Sequence, residues 1–393
     1  MPDAVIVSAC RTAIGTAWKG TLADTSAFDL ARHILQSSIG RSGISPEEFD
    51  DVVLAESMYG GGVIARHAAV ECGLLDVPGL ADNRHCASGL SAVQIAASTI
   101  RAGMDRVVVA GGVQSSSTAP MSSWRIPGSD DVVERWMSPS HPNRPDAPND
   151  DMSITVGWNT AQRAGLSREQ MDEWALRSHE RAVAAIDDGR FTEEIVPIEA
   201  RRRDGSTTTF EVDEHPRRDT SMERLASLKP LHPEIDGFSV TAGNASGVND
   251  AASALVLTSD TFAADHGLHS LGTVRSWASV GVDPFDTGLS PTKAIPKALD
   301  RAGLRVQDVD LFEINEAFAS VPVAACQILD IDPAIVNVVG SGCSLGHPIA
   351  ATGARMVTTL VYELRRRGGG IAVASMCAGG GMGSAAVIEV PGN

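Results

Sequence analysis

Apolar residues run along this chain in two alternating rhythms. Short β-branched runs predict strands at 4-AVIVSA-9, 51-DVVLAE-56, 106-RVVVAG-111, 253-SALVLT-258, 272-GTVRSWASV-280, 335-IVNVVG-340, 371-IAVASM-376 and 384-SAAVIEV-390. Between many of them lie longer stretches with helical spacing, such as 89-GLSAVQIAASTIRAG-103 and 352-TGARMVTTLVYELRRRG-368. The alternation predicts an α/β protein with largely buried sheets.

The rhythm repeats. Segment 86-CASGLSAVQIAASTIRAGMDRVVVAGG-112 aligns without a gap on 350-AATGARMVTTLVYELRRRGGGIAVASM-376, at an offset of 350 − 86 = 264. Upstream, 43-GISPEEFDDVVLAE-56 aligns on 303-GLRVQDVDLFEINE-316, at an offset of 303 − 43 = 260. Two matching blocks in the same order predict a duplicated α/β half. The halves are expected at 1–116 plus 248–268 and at 269–393, leaving 117–247 as an insert. The insert is Pro-rich at 138-SPSHPNRPDAP-148 and carries an amphipathic helix at 167-SREQMDEWALRSHERAVAAIDDG-189. There Ser167 and Gln170 have capping-box spacing, and Gly189 is a stop signal. The insert reads as a substrate-covering subdomain or an oligomerisation arm.

Composition narrows the function. The 393 residues are 43% hydrophobic, 21% charged and 4% aromatic, so the core is aliphatic and rich in small residues. A formal net charge of −17 argues against nucleic acid and anionic membranes as partners. No apolar run is long enough to span a bilayer. The opening MPDAVIVSAC has no basic leader, and the ending EVPGN is neither a peroxisomal nor an ER-retention tail, so a cytoplasmic protein is expected. None of the six cysteines sits in a C-x-x-C, which argues against zinc and thioredoxin chemistry.

Four segments could carry chemistry. Cys86 precedes a helix pattern in Cys-Ala-Ser-Gly, where exposed N–H groups favour a thiolate; buried structural cysteines occupy such places too. His85 is its neighbour in sequence, but residues i and i+1 do not share a face, so His85 reads as a loop or contact residue. His347 stands at the opening of the matching helix in the second half, either as the distant base for Cys86 or as a satisfied structural histidine. Cys377 leads into Gly379, Gly380, Gly381 and Gly383, a run that lets backbone N–H groups approach an anion. Asn315 ends an apolar strand and could simply cap the next helix.

Taken together, 86-CASG-89, 315-NEAFA-319, 346-GHPIAATG-353 and 377-CAGGGMG-383 resemble the thiolase signature in order and spacing. The resemblance covers essentially the whole chain, including 11-RTAIG-15, 241-TAGNASGVNDAA-252 and 384-SAAVIE-389. It implies the thiolase fold: two five-stranded α/β halves in a five-layered α-β-α-β-α core with an inserted loop domain. It implies thiolysis of a 3-oxoacyl-CoA by CoA, or the reverse Claisen condensation of acetyl-CoA, by a ping-pong route without metal or redox cofactor. By motif match, Cys86 is the nucleophile, His347 the base, Cys377 the acid/base at the departing carbon, and Asn315 a partner of His347 at the enolate oxygen. The N–H groups of Cys86 and Gly379 form a second oxyanion hole. Ser246, Ala242, Phe318, Met152 and Arg217 are implied CoA contacts. The resemblance further points to fatty acid or lipid metabolism, with β-oxidation foremost, and to a homo-oligomer, a dimer or a tetramer.

The chain departs from the family pattern at several places. Gln114 lies in 111-GGVQSS-116, where many relatives read Gly-Met-Glu-Ser. Asp151 stands where biosynthetic members carry His, 229-KPLHPEIDGF-238 lacks the usual aromatic after Lys-Pro, and Ala350 replaces Gly in the histidine loop. Acyl length and shape are therefore left open. Two rivals stand beside thiolysis. One is a 3-oxoacyl synthase-like condensing enzyme, which would not need Cys377; the other is a non-catalytic acyl-CoA-binding member of the superfamily.

Overall fold

The computed structural model describes residues 2–57, 59 and 63–392; the extreme ends of the expected halves, residues 1 and 393, lie outside them. Nine strands build the main sheet: β1 (Ala4–Arg11), β2 (Asp51–Ala55), β3 (Gly79–Asp82), β4 (Val107–Ser115), β5 (Asn249–Ser259), β6 (Gly272–Gly281), β7 (Leu311–Ile314), β8 (Gly370–Ala378) and β9 (Met382–Val390). Their order is β7-β8-β9-β6-β1-β5-β4-β2-β3, with the short strand Gly15–Thr16 pairing on β5. The sheet is two sheets joined at a narrow waist, where β1 meets β6 only at Val5–Thr273 and Ile6–Gly272. On either side, β1 and β6 are the first strands of the two halves.

The α-helices of eight or more residues among the described residues are α1 (Ala27–Ser42), α2 (Ile64–Glu71), α3 (Ser88–Arg101), α4 (Arg168–Asp187), α5 (Pro291–Ala302), α6 (Ser320–Leu329) and α7 (Ile349–Arg366). Helices α1 and α2 cover the outer face of the first half-sheet, α5 and α6 cover that of the second, and α3 and α7 lie between the two. This is the thiolase-type stack of five layers. The repeat is visible in detail. Gly43 and Gly303 end α1 and α5 at φ 69° and 70°, and one-turn helices follow at Pro46–Glu48 and Val306–Asp308. Strands β2 and β7 come next.

One expected strand is absent. Segment 335–340 begins with the turn Pro333–Ile335 and bridges the sheet only at Val336–Phe312. Asn337 is left-handed at φ 52°, which interrupts extension. Its amide takes the place of a neighbouring strand: Oδ1 accepts from Ile314 N–H and Nδ2 donates to Ile314 C=O, each at 2.8 Å. The second half therefore has four strands, not five. Conversely, β3 carries no β-branched run; it is a half-exposed edge strand parallel to β2.

Between β4 and β5 the chain makes its long excursion, whereas the matching strands β8 and β9 are joined by the turn 379–381. Within the excursion, Ser167 and Gln170 form the expected capping box on α4, and Gly189 follows the helix at φ 67°.

Candidate functional site

The two repeated helices meet backbone to backbone. A Cβ on Gly89 would lie 2.5 Å from the Ala350 carbonyl oxygen, and one on the equivalent Gly353 would lie 2.1 Å from the Leu90 amide nitrogen. Only glycine permits this approach. It brings together the small-residue openings that carry Cys86 and His347.

Cys86 is partly exposed, just ahead of the first helical residue, Ser88. Burial of its surroundings pushes its thiol above the ordinary range, and hydrogen bonds from the N–H groups of Gly379 and of Cys86 itself act the other way. Desolvation wins over the helix-end effect expected from sequence, so the resting group is a thiol. Cys377, at the end of β8, is buried; desolvation and then the proximity of Cys86 raise its thiol further. Cys86, Cys377 and Gly379 thus form one cluster. Gly379 has ordinary dihedrals, and a Cβ there would be 3.6 Å from the Met152 sulfur and 3.9 Å from the His85 ring.

His85 is held by its backbone at φ 47°, its carbonyl accepting from Ser57 and Ser88 hydroxyls at 2.9 and 2.6 Å. His347 is set differently. Its N–H donates to Asn249 Oδ1 at 2.9 Å, and its Nδ1 lies 2.7 Å from Thr352 Oγ1. The Thr352 hydroxyl is placed to donate to the Pro348 carbonyl at 2.8 Å, and the tautomer that matches this has Nδ1–H donating to Thr352 and Nε2 unprotonated, as the acceptor nitrogen. Burial, helped by the Arg355 charge, lowers the imidazole to about 3, so His347 is neutral. Asn315 Nδ2 lies 3.5 Å from both ring nitrogens. Asn315 caps nothing, since α6 begins later behind Ala319, and its buried Oδ1 has no partner among the described residues.

The five candidate CoA contacts are set by local contacts of the insert and of the segments beside it. Arg217 is exposed, its backbone N–H donating to His179 Nδ1 at 3.1 Å. The nearby His215 ring packs on Gly247, where a Cβ would be 2.4 Å away. Ser246 N–H donates to the Ala317 carbonyl at 2.9 Å beside the Ala245–Phe318 bridge, and Ala242 is exposed at the same turn. Phe318 packs on Gly157, in the helical segment that follows Met152. His179 and His215 are held neutral, lowered to about 4 chiefly by burial.

The departures pair with one another. Asp151 receives His232 Nε2 at 2.8 Å, and His232 Nδ1 meets Glu234 at 2.7 Å. Ala350 N–H donates to Gln114 Oε1 at 3.3 Å. Two positioning residues, Asn249 and Thr352, escaped the sequence reading; both sit inside quoted motifs, but only the fold reveals that they hold His347. Among the described residues, no cluster of three or more His, Cys, Asp or Glu is arranged to hold a metal ion.

Comparison with known proteins gives a consistent result. Residues 4–261 match the family described as thiolase, N-terminal domain, and residues 268–390 match thiolase, C-terminal domain. An acetyl-CoA acetyltransferase of Pseudomonas aeruginosa is 40% identical over 401 residues, covering 98% of each chain. The peroxisomal 3-ketoacyl-CoA thiolase 5 of Arabidopsis thaliana is 41% identical over 98% of this chain and 85% of its own. The crystal structure of Bacillus anthracis acetyl-CoA acetyltransferase superposes with a TM-score of 0.89 at 38% identity, covering 99% of each chain.

Proposed function

This chain belongs to the thiolase family, and from that premise we propose how its residues divide the reaction. As a thiolase it is an acyltransferase acting on acyl-CoA: it cleaves a 3-oxoacyl-CoA with CoA or runs the reverse condensation. The reading of its site rests above all on the clustering of Cys86 with Cys377 around Gly379.

Cys86 rests as a thiol, so it needs a base, and the free Nε2 of neutral His347 is suited to take its proton. The Cys86 sulfur attacks the 3-oxo carbonyl. The carbon–carbon bond then breaks, and its electron pair becomes the enolate of the leaving acetyl-CoA. Protonated His347 and the amide of Asn315 donate to that enolate oxygen. Cys377 gives its proton to the enolate carbon; its high-lying thiol suits a strongly basic acceptor. CoA then gives its thiol proton to the Cys377 thiolate and attacks the Cys86 thioester, whose oxygen faces the N–H groups of Cys86 and Gly379; the bond to Cys86 breaks, and its sulfur takes back the proton held by His347. No resident cofactor takes part.

CoA lies along Arg217, Ala242, Ser246, Phe318 and Met152, with its nucleotide end at Arg217. We place the enzyme in the cytoplasm, in degradative lipid metabolism such as β-oxidation, as a homodimer or homotetramer. Association is supported by the exposed apolar hairpin Trp124–Arg125/Val132–Val133, flanked by Met121 and Met137, and by the open edge of β3. No helix among the described residues is long and apolar enough to cross a membrane.

Intact mass after mixing with acyl-CoA tests the core of this reading. One acyl adduct on Cys86 is expected. No adduct, or one that survives Cys86→Ala, would overturn it. A panel of 3-oxoacyl-CoAs of graded size then gives the acyl range.

A further inference from the structure

One fully buried carboxylate beside the site has been given no part in the chemistry. Glu316 follows Asn315 directly and is 0% exposed. Its Oε1 accepts from Trp174 Nε1 and Asn337 Nδ2, both at 2.8 Å. Its Oε2 accepts from the Ser178 hydroxyl at 2.6 Å and the Cys343 N–H at 3.1 Å. All four are donors, and they come from three separate segments. Trp174 and Ser178 belong to insert helix α4, Asn337 to the segment that closes the β7 edge, and Cys343 to the one-turn helix Gly342–Leu345 in the loop running into His347.

The neighbouring packing leaves this loop no other seat. A Cβ on Gly342 would lie 2.5 Å from the Glu316 carbonyl oxygen and 3.0 Å from Asn315 Oδ1. One on Gly340 would lie 2.8 Å from the Ser178 carbonyl oxygen. Asn315 Oδ1 has no partner among the described residues, so the Asn315 amide is held by its backbone, by this loop and by the His347 ring 3.5 Å from Nδ2. Helix α4 also carries His179, which receives the Arg217 N–H.

We propose that Glu316 is a positioning residue that aims Asn315 and His347 at the enolate oxygen, and that through α4 it makes this aim depend on the seating of the insert. The inference rests on the proposed roles of Asn315 and His347. Trp174 Nε1–H and Cys343 N–H can only donate, one to each carboxylate oxygen, so Glu316→Gln cannot satisfy all four partners: in either orientation its NH2 faces one of these two donors. The loss should fall on the carbon–carbon step, which needs the enolate site. Acyl exchange at Cys86 uses the other oxyanion hole and should suffer much less.

The experiment compares wild type, Glu316→Gln, Trp174→Phe and Asn315→Ala. Each is assayed for acyl exchange between acetyl-CoA and Cys86, and for thiolysis of the 3-oxoacyl-CoA that the wild type turns over fastest. Both rates are expressed per acylatable Cys86. In Glu316→Gln, thiolysis is expected to fall about 100-fold, the scale of a roughly 1 Å misplacement, with KM for CoA within about twofold and exchange reduced far less. Trp174→Phe, which deletes one donor and keeps the carboxylate, should show the same pattern more weakly, and it decides the matter if Glu316→Gln does not fold. If the two rates fall together, or neither falls per acylatable site, Glu316 is structural only and the inference is wrong. If Asn315→Ala leaves thiolysis intact, the reading of the enolate site itself has failed instead.

Discussion

At the scale of single residues, the proposed choice between two histidines rests on what their neighbours do with protons. His85 adjoins Cys86 in sequence, yet its backbone is locked by Ser57 and Ser88. The Thr352–Pro348 hydrogen bond favours the His347 tautomer whose Nε2 is unprotonated and able to accept. His347→Ala is therefore expected to lower kcat by about 10²–10⁴, the range for loss of a general base, while His85→Ala remains active. Steady-state thiolysis checks both, and the reverse pattern would exchange their roles. The proposed nucleophile, its proposed distant base and the second thiol stood out in the sequence as residue types in small-residue openings. The tautomer did not, because it depends on a hydroxyl whose own acceptor is a turn of helix away.

At the scale of elements, the duplication was legible because two copies of one apolar rhythm survive at nearly constant spacing. What it could not show is how closely α3 and α7 approach. A methyl on Gly353 would fall 2.1 Å from backbone that cannot turn aside. Gly353→Ala should thus cost about 1–3 kcal/mol or more by overpacking, where the same change on an exposed helix is stabilising. Urea denaturation of the variant checks this; a stability equal to wild type would mean that the helices separate easily. The two strand errors have physical causes as well. Segment 335–340 has the β-branched composition of a strand, but Asn337 turns left-handed and offers its side chain as the ladder partner. Strand β3 lacks the composition yet pairs because β2 leaves it a parallel edge.

At the scale of the whole molecule, the insert is clasped to the first half by a buried charge cluster. Arg11, 1% exposed at the end of β1, donates to Glu194 Oε1 at 2.6 Å and to Asp213 Oδ1 and Oδ2 at 2.7 and 2.9 Å. The Ile14 N–H shares Asp213 at 2.8 Å. Both carboxylates belong to the insert, and the segment after Asp213 leads to His215 and Arg217. Removing the cation would leave two buried carboxylates facing each other. Arg11→Leu is expected to destabilise by about 3–5 kcal/mol, measured as a lower denaturation midpoint. An unchanged midpoint would show that water reaches the cluster.

The Asn337 amide also gives the molecule a direction. A sheet invites addition at any rim whose N–H and C=O groups are unpaired. Here the rim at β7 is closed from within, by one side chain and one bridge, while the rim at β3 stays open. The main sheet can therefore be extended at one end and not at both, so it cannot by itself grow into a filament. Two such chains meeting at β3 would use up the open edge of each main sheet, and extension of the main sheet would stop at a pair.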